Sequence, residues 1–411
     1  MTPLLLRNAR IFDGHSADCP EGMSVVVADG LIQEVSAKAV KAPKAARVID
    51  VAGRTLMPGL IDAHVHAYAS DVNVHKIETV GAPYRAAHAV RMLGFALDCG
   101  FTTVRDIGGG DYSLARAIAD GLIRAPRFLY SGKVLSMTGG HGDMRPIDEA
   151  PQYHAMCSCG IFNSFAKVAD GVTEVIRATR EELRQGAHCI KIMGSGGVAS
   201  PTDPLWMNQY REDEIRAIVQ ECTERRTYAS AHCHPASAAR RCVEFGVRCI
   251  EHGTLMDEET ARFIAKKGAY VIPTLSILHA LVEEGPRLGF PAPMQAKARE
   301  VAKGAMHGLE VMRKAKVKLG YGTDLLGELY VQQCREFTLR REVFPPLELL
   351  RQATSINAEM MMLEGQIGCV KPGAHADLIV VDGDPLKDIG LLARDGRKLT
   401  TIVRAGEVVK G

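Results

Sequence analysis

Two histidines carry the first chemical signal in this chain. His64 and His66 stand in the run Pro58-Gly59-Leu60-Ile61-Asp62-Ala63-His64-Val65-His66. Successive side chains of a β-strand point to opposite faces, so residues two apart share a face. A short apolar strand therefore aims both imidazoles at one point, and neutral imidazole is a common metal ligand that suits zinc. With 14 histidines in the chain, such a pair also arises by chance, as surface or hydrogen-bonded histidines. Further ligands at matching positions decide between the two readings.

Those positions depend on the surrounding elements. Between residues 58 and 355, apolar strand-like runs alternate with amphipathic helical ones. The spacing predicts strands at Leu60–Val65, Thr102–Arg105, Arg127–Ser131, Cys189–Met193, Thr227–His232, Cys249–His252, Tyr270–Thr274 and Val317–Gly322. It predicts helices at Ala86–Asp98, Tyr112–Gly121, Val172–Gln185, Glu212–Arg225, Pro235–Phe245, Asp257–Lys267, Pro293–Ala315 and Pro346–Thr354. Eight such alternations over roughly 300 residues match an α/β fold of the (β/α)8, TIM-like barrel type better than an open doubly wound sheet. No GxGxxG follows the first strand, as an open dinucleotide-binding sheet would usually show. The two chain ends have a different texture of short β-like runs and turns, with Ala28-Asp29-Gly30 as a hairpin signal. Chain ends often lie close together, so residues 1–57 and 356–411 are expected to form one small β-sandwich domain beside a barrel of residues 58–355.

In a barrel of this kind, functional groups gather at the C-terminal ends of the strands. His64 and His66 end the first predicted strand, Lys191 lies in the fourth, His232 ends the fifth, His252 the sixth and Asp324 the eighth. Six ligand-capable residues on five strands thus reach one rim. A lysine inside an apolar strand is costly to bury as an unpaired ammonium. Lys191 is therefore either paired with a carboxylate or carbamylated by CO2, which would make it an anion able to bridge two metal ions.

Together these motifs resemble the amidohydrolase superfamily, in its binuclear-metal subtype with a carboxylated lysine. Within it they are similar to the branch of metal-dependent Xaa-Pro and Xaa-Arg/Lys dipeptidases and ochratoxin-hydrolysing amidases. The matching stretches are Met57–His66, Gly100–Asp106, Thr138–Gly142, Ala169–Val172, Ile190–Met193 with Gly196–Val198, Ile250–Gly253, Gly322–Asp324 and Gly368–Asp382. The resemblance implies that His64, His66 and Asp324 hold one divalent ion and that His232 and His252 hold the other. Carboxylated Lys191 and a hydroxide would bridge the two ions. Asp324 would take the proton of that hydroxide as it attacks an amide carbonyl and return it to the leaving nitrogen. Zinc suits such ligands, while ligand type leaves manganese, iron and cobalt open.

The same resemblance implies a small-molecule amide or dipeptide substrate, release of its C-terminal amino acid, and a homo-oligomer of up to eight copies. His141, in the loop Gly139-Gly140-His141-Gly142, would help hold the substrate's carboxylate or carbonyl. His234, two residues past His232, is a second substrate-binding candidate, although the related dipeptidases often carry tyrosine there. Of the remaining candidates, Asp106 reads as a structural rim carboxylate and His279 as the one other histidine able to reach a pocket. Cys157 and Cys159 read as core or loop thiols. A cyclic-amide hydrolase or deaminase of the imidazolone-ring type is an alternative that Lys191 argues against. A non-catalytic scaffold is opposed by the complete ligand set.

Composition narrows the partners. A net charge of +2 and the absence of any like-charge block exclude an obvious nucleic-acid or membrane surface. Three leucines before Arg7 are too short for a signal-peptide core, and eleven cysteines without a CxxC pair suit reduced thiols. The expectation is a soluble cytoplasmic protein, a removed leader aside.

Overall fold

A computed structural model describes residues 2–38, 40–145, 165–200 and 203–411. The chain begins with β1 (Leu4–Ile11), β2 (Met23–Ala28) and β3 (Leu31–Ser36), paired antiparallel in that order. Asp29 and Gly30 make the β2–β3 turn at φ 52° and 76°. A two-residue turn needs positive φ to match the twist of its strands, and Asp and Gly tolerate it. Next, β4 (Arg47–Asp50) and β5 (Thr55–Pro58) run parallel to β1.

The chain then enters the parallel core. One sheet contains β6 (Leu60–Val65), β7 (Phe101–Asp106) and β8 (Arg127–Tyr130). The other contains β9 (Val134–Ser136), β10 (Ala166–Val168), β11 (Ile190–Met193), β12 (Ala229–Pro235), β13 (Cys249–Leu255), β14 (Tyr270–Ile272) and β15 (Lys318–Leu319). Backbone hydrogen bonds run from His188 N, just before β11, to Tyr130 O in β8 at 2.7 Å, and from Ala63 N in β6 to Tyr321 O, just past β15, at 2.9 Å. Helices follow β6, β7 and β10 to β14, and strands covered on both faces read as continuous apolar runs rather than alternating ones.

The chain finally returns through β16 (Leu378–Val381), antiparallel to β5, and then β17 (Leu399–Arg404) and β18 (Glu407–Lys410). Both chain ends therefore share one eight-stranded sheet. Its core contains Leu6, Val25, Ile32, Leu56, Leu378 and Val403.

All eight predicted helices are present, with ends shifted by a few residues. The third predicted strand is present as β8, but an unexpected short strand, β9, follows it past Gly132 at φ 73°, and β9 rather than β8 pairs with β11. The helices Val74–Thr79, Leu275–Glu283, Arg335–Arg340 and Ser355–Met360 were not expected. Leu275–Glu283 is apolar almost all round, with Leu275, Ile277, Leu278, Ala280 and Leu281 buried, so its sequence lacks a polar face to betray the period. The helix Ser355–Met360 packs Ala358 and Met360 against Ile61, Cys189, Cys249 and Tyr270 at the strand starts, opposite the predicted functional rim.

Every described cysteine is free, while Cys157 and Cys159 lie outside the described residues. Among the described residues, no helix is long and apolar enough to cross a membrane.

Candidate active site

His64, His66, His141, Lys191, His232, His234, His252 and Asp324 all line one cavity. They arrive on the ends of β6, β11, β12 and β13, on the loop after β9 and on the segment after β15. The imidazoles form a tight cluster. Ring centroids lie 5.1 Å apart for His64 and His252, 4.6 Å for His232 and His252, and 4.9 Å for His234 and His252. Asp324 Oδ1 lies 3.3 Å from His64 Nε2 and 3.1 Å from His66 Nε2.

Each of four rings is tied through its Nδ1. His64 donates to Glu251 Oε2 at 2.8 Å, and His66 donates to the Gly108 carbonyl at 2.9 Å. His234 and His252 hydrogen-bond Thr254 Oγ1 at 2.8 Å and Thr274 Oγ1 at 2.7 Å. A partner on one ring nitrogen fixes the tautomer and leaves the other nitrogen to bind.

Electrostatics follow from crowding in a dry site. Burial, then the imidazoles of His141, His252 and His234, push His232 well below its ordinary pKa. Burial and the nearby His141 bring His234 down to about 3. Burial also lowers the Lys191 ammonium, against the opposing pull of Glu251 and Asp324. For Asp324 burial acts upward, yet His64 and His66 hold its carboxyl well below the usual range.

Beneath the cluster runs a fully buried ion pair. Arg105 Nη2 donates to Glu251 Oε1 at 2.6 Å, with both side chains at 0% exposure. The same guanidinium donates to the Ala63 carbonyl at 2.6 Å and to Tyr228 Oη at 3.2 Å. Burial would raise the Glu251 carboxyl, but Arg105 and His64 keep it ionised well below its ordinary value. Removing one member of such a pair leaves an uncompensated charge, a cost of about 3–5 kcal/mol. Arg105→Met is therefore expected to lower the unfolding free energy from urea titration by about 3–5 kcal/mol, read as a lower midpoint. A midpoint equal to wild type would show that Glu251 does not need this partner.

Three residues at the rim hold left-handed backbone: His252 at φ 73°, Thr274 at 47° and Asp324 at 58°. That conformation is costly for a β-branched residue such as Thr274 and persists only where the surroundings over-determine it. Here Glu336 accepts from Leu275 N at 3.1 Å and Ser276 N at 2.7 Å, and Arg340 braces Glu336 at 2.6 Å. Asp62 performs the matching task for Asp324, accepting from His64 N at 3.1 Å, Thr323 N at 3.1 Å and Thr323 Oγ1 at 2.7 Å. Asp106 accepts from the backbone of Ala67, Gly108 and Gly110 at 2.7, 3.0 and 2.9 Å, and so braces the loop that carries the His66 partner.

One wall of the cavity is apolar, formed by Ile77, Val134, Phe165, Met193, Ile277 and Leu281 among others. Ile277 and Leu281 come from the unexpected helix, whereas His279 on that helix does not line the cavity. Its largely apolar run Leu275-Ser-Ile-Leu278 was the one available signal, and a buried strand writes a similar signal.

The residues present fit a divalent metal. The ligand atoms of His64, His66 and Asp324 lie within 4.8 Å of one another. His232 Nε2 is buried with no hydrogen-bond partner among the described residues, a costly state for a polar atom.

Parallel strands whose ends gather imidazoles around one carboxylate make a site able to hold a divalent metal, the kind of site metal-dependent hydrolases use. The chain belongs to the amidohydrolase family, whose model matches residues 55–409, and is a hydrolase acting on amide bonds. It is 44% identical to a prolidase whose crystal structure holds N-methylphosphonate-L-proline, covering 100% of both chains with a TM-score of 0.95. It is 27% identical to a Xaa-Pro dipeptidase with methionine bound in the active site, again over 100% of both chains, with a TM-score of 0.88. To the ochratoxinase of Aspergillus niger it is 30% identical over 407 residues, covering 94% of this chain and 83% of that protein.

Proposed function

We propose that this chain is a binuclear metal-dependent amidohydrolase that cleaves a peptide or N-acyl amino acid bond and releases the C-terminal amino acid. The observation that carries the reading is the convergence of His64, His66, Lys191, His232, His252 and Asp324 on one cavity. The proposal includes a single closed (β/α)8 barrel made of the two parallel sheets and a domain division of 58–355 against 1–57 plus 356–411. The hydrogen bonds from His188 to Tyr130 and from Ala63 to Tyr321 support the closure.

His64, His66 and Asp324 would hold one divalent ion, with zinc the first choice, and His232 and His252 a second. Such ions supply activation of water near neutral pH and polarisation of the scissile carbonyl. Lys191 in its neutral amine form would add CO2, losing one proton and becoming a carbamate anion. The product would offer an anionic ligand to the divalent ions, and the burial that disfavours the ammonium favours the neutral amine from which it forms.

Asp324, kept ionised by His64 and His66, accepts the proton of the attacking water on a carboxylate oxygen and delivers it to the leaving nitrogen. His141 and His234 face the same cavity and would hold the substrate's carboxylate or carbonyl. The apolar wall favours an apolar acyl group or an apolar N-terminal residue, because apolar surface pays no polar desolvation there.

The test is a hydrolysis screen of the metal-loaded protein with Xaa-Pro dipeptides, N-acyl amino acids and ochratoxin A. Released amino acid is quantified alongside bound metal. Turnover is expected for members with apolar acyl groups, with two metal ions per chain. Silence across the whole panel would overturn the reading.

A further inference from the structure

His141 is held by more of the chain than any direct contact with a substrate would require. Its ring stacks on His232 with centroids 4.3 Å apart and planes 29° from parallel. Gly197 lies against the ring as well, so close that an added Cβ would collide with Cε1 and Nε2. In the plane of the ring, Nδ1 lies 2.7 Å from Ser200 Oγ and 3.2 Å from Asp203 Oδ2. Ser200 Oγ itself donates to the Asp203 carboxylate. Gln209 ties the two ends of this arrangement, accepting from His141 N at 2.9 Å and donating to Asp203 Oδ2 at 3.3 Å.

The loop that supplies these partners is anchored from outside. Lys297, on the long helix Ala292–Lys314, donates to the carbonyls of Gly197 at 3.1 Å, Ser200 at 3.0 Å and Asp203 at 2.7 Å. An ammonium has three donors, and all three are spent on one loop. Gly197 N in turn donates to Asp203 Oδ2 at 3.0 Å, which closes the loop on its own carboxylate.

We propose that Asp203 and Lys297 are positioning residues for His141. Asp203, with Ser200, makes Nδ1 the donor and leaves Nε2 to meet the substrate, while Lys297 holds the loop that carries Asp203. The role rests on the reading of His141 as a substrate-binding group. Lys297 sits on the helix Ala292–Lys314, and the loop it holds also places Val198 and Ala199 on the cavity, so the mutant cycle below separates a tether acting through His141 from one acting on the cavity lining.

The experiment is a mutant cycle on the metal-loaded enzyme, with the best substrate of the panel. Asp203→Ala and Lys297→Met are each expected to lower kcat/KM about 100-fold, the usual cost of misplacing a catalytic-site group by about 1 Å. In a His141→Ala background, neither should cost more than about twofold, because coupled residues are non-additive. Asp203→Asn, whose amide oxygen still accepts from Nδ1–H, is expected to recover part of the loss. Losses that multiply in the His141→Ala background would overturn the proposal.

A crystal structure of Asp203→Ala reads the same question without substrate, and Lys297→Met serves if that variant does not fold. The His141 ring is expected to leave its Nδ1 partners and turn away from His232. A ring unchanged in place would overturn the proposal. If wild type hydrolyses nothing on the panel, the amidase reading falls, while the ring position still decides this one.

Discussion

Alanine in place of Lys191 is expected to remove bound metal and activity together, with turnover falling at least about 1,000-fold. The expectation follows from geometry and from cost. Lys191 is 2% exposed and lines the cavity among His64, His232 and His252. Glu251 and Asp324 favour an ammonium there, but burial outweighs them and disfavours the cation. A carbamate would reverse that charge and serve as a ligand. The variant should therefore bind less divalent metal by elemental analysis, and it should regain part of its turnover in millimolar acetate, whose carboxylate can enter the void. Lys191→Met, which fills the space, should lose activity equally and resist rescue. If Lys191→Ala keeps wild-type metal content and turnover, the bridging-carbamate reading is wrong.

The second large effect is at Asp324. Asparagine there keeps the shape and suits the left-handed backbone at φ 58°, a conformation Asn adopts more readily than most residues. The substitution therefore isolates chemistry from strain. It deletes the charge that His64 and His66 face at 3.3 and 3.1 Å, and with it the proton acceptor. A positioned general acid–base group contributes about 100- to 10,000-fold. Asp324→Asn is expected to lower kcat within that range, with the urea midpoint of the folded protein close to wild type. Near-normal kcat with full metal occupancy would assign the proton transfer elsewhere.

Much of the architecture was legible in the chain, for a local reason. Alternation of apolar runs and amphipathic stretches reports which face of each element is buried, so the strands from Leu60 to Gly322 and the flanking helices could be placed. The strand β9 past Gly132 was less legible, because three residues are too few to show a period and a single glycine has several meanings. The helix Leu275–Glu283 escaped because burial on nearly all sides erases the helical period. The unexpected β10 is three residues long and pairs only through β9, too short for any periodic signal.

The sequence by itself determined which candidate ligands the chain carries and their spacing along it. Strand geometry converts a two-residue spacing such as His64 and His66 into a shared direction. Only the tertiary structure decided what surrounds them. Glu251 reaches His64 across 187 residues, Gln209 reaches the His141 backbone across 68, and Lys297 reaches Gly197 across 100. No local pattern encodes such pairings, because they arise when separate elements close around a common core and each buried polar group must find a partner there.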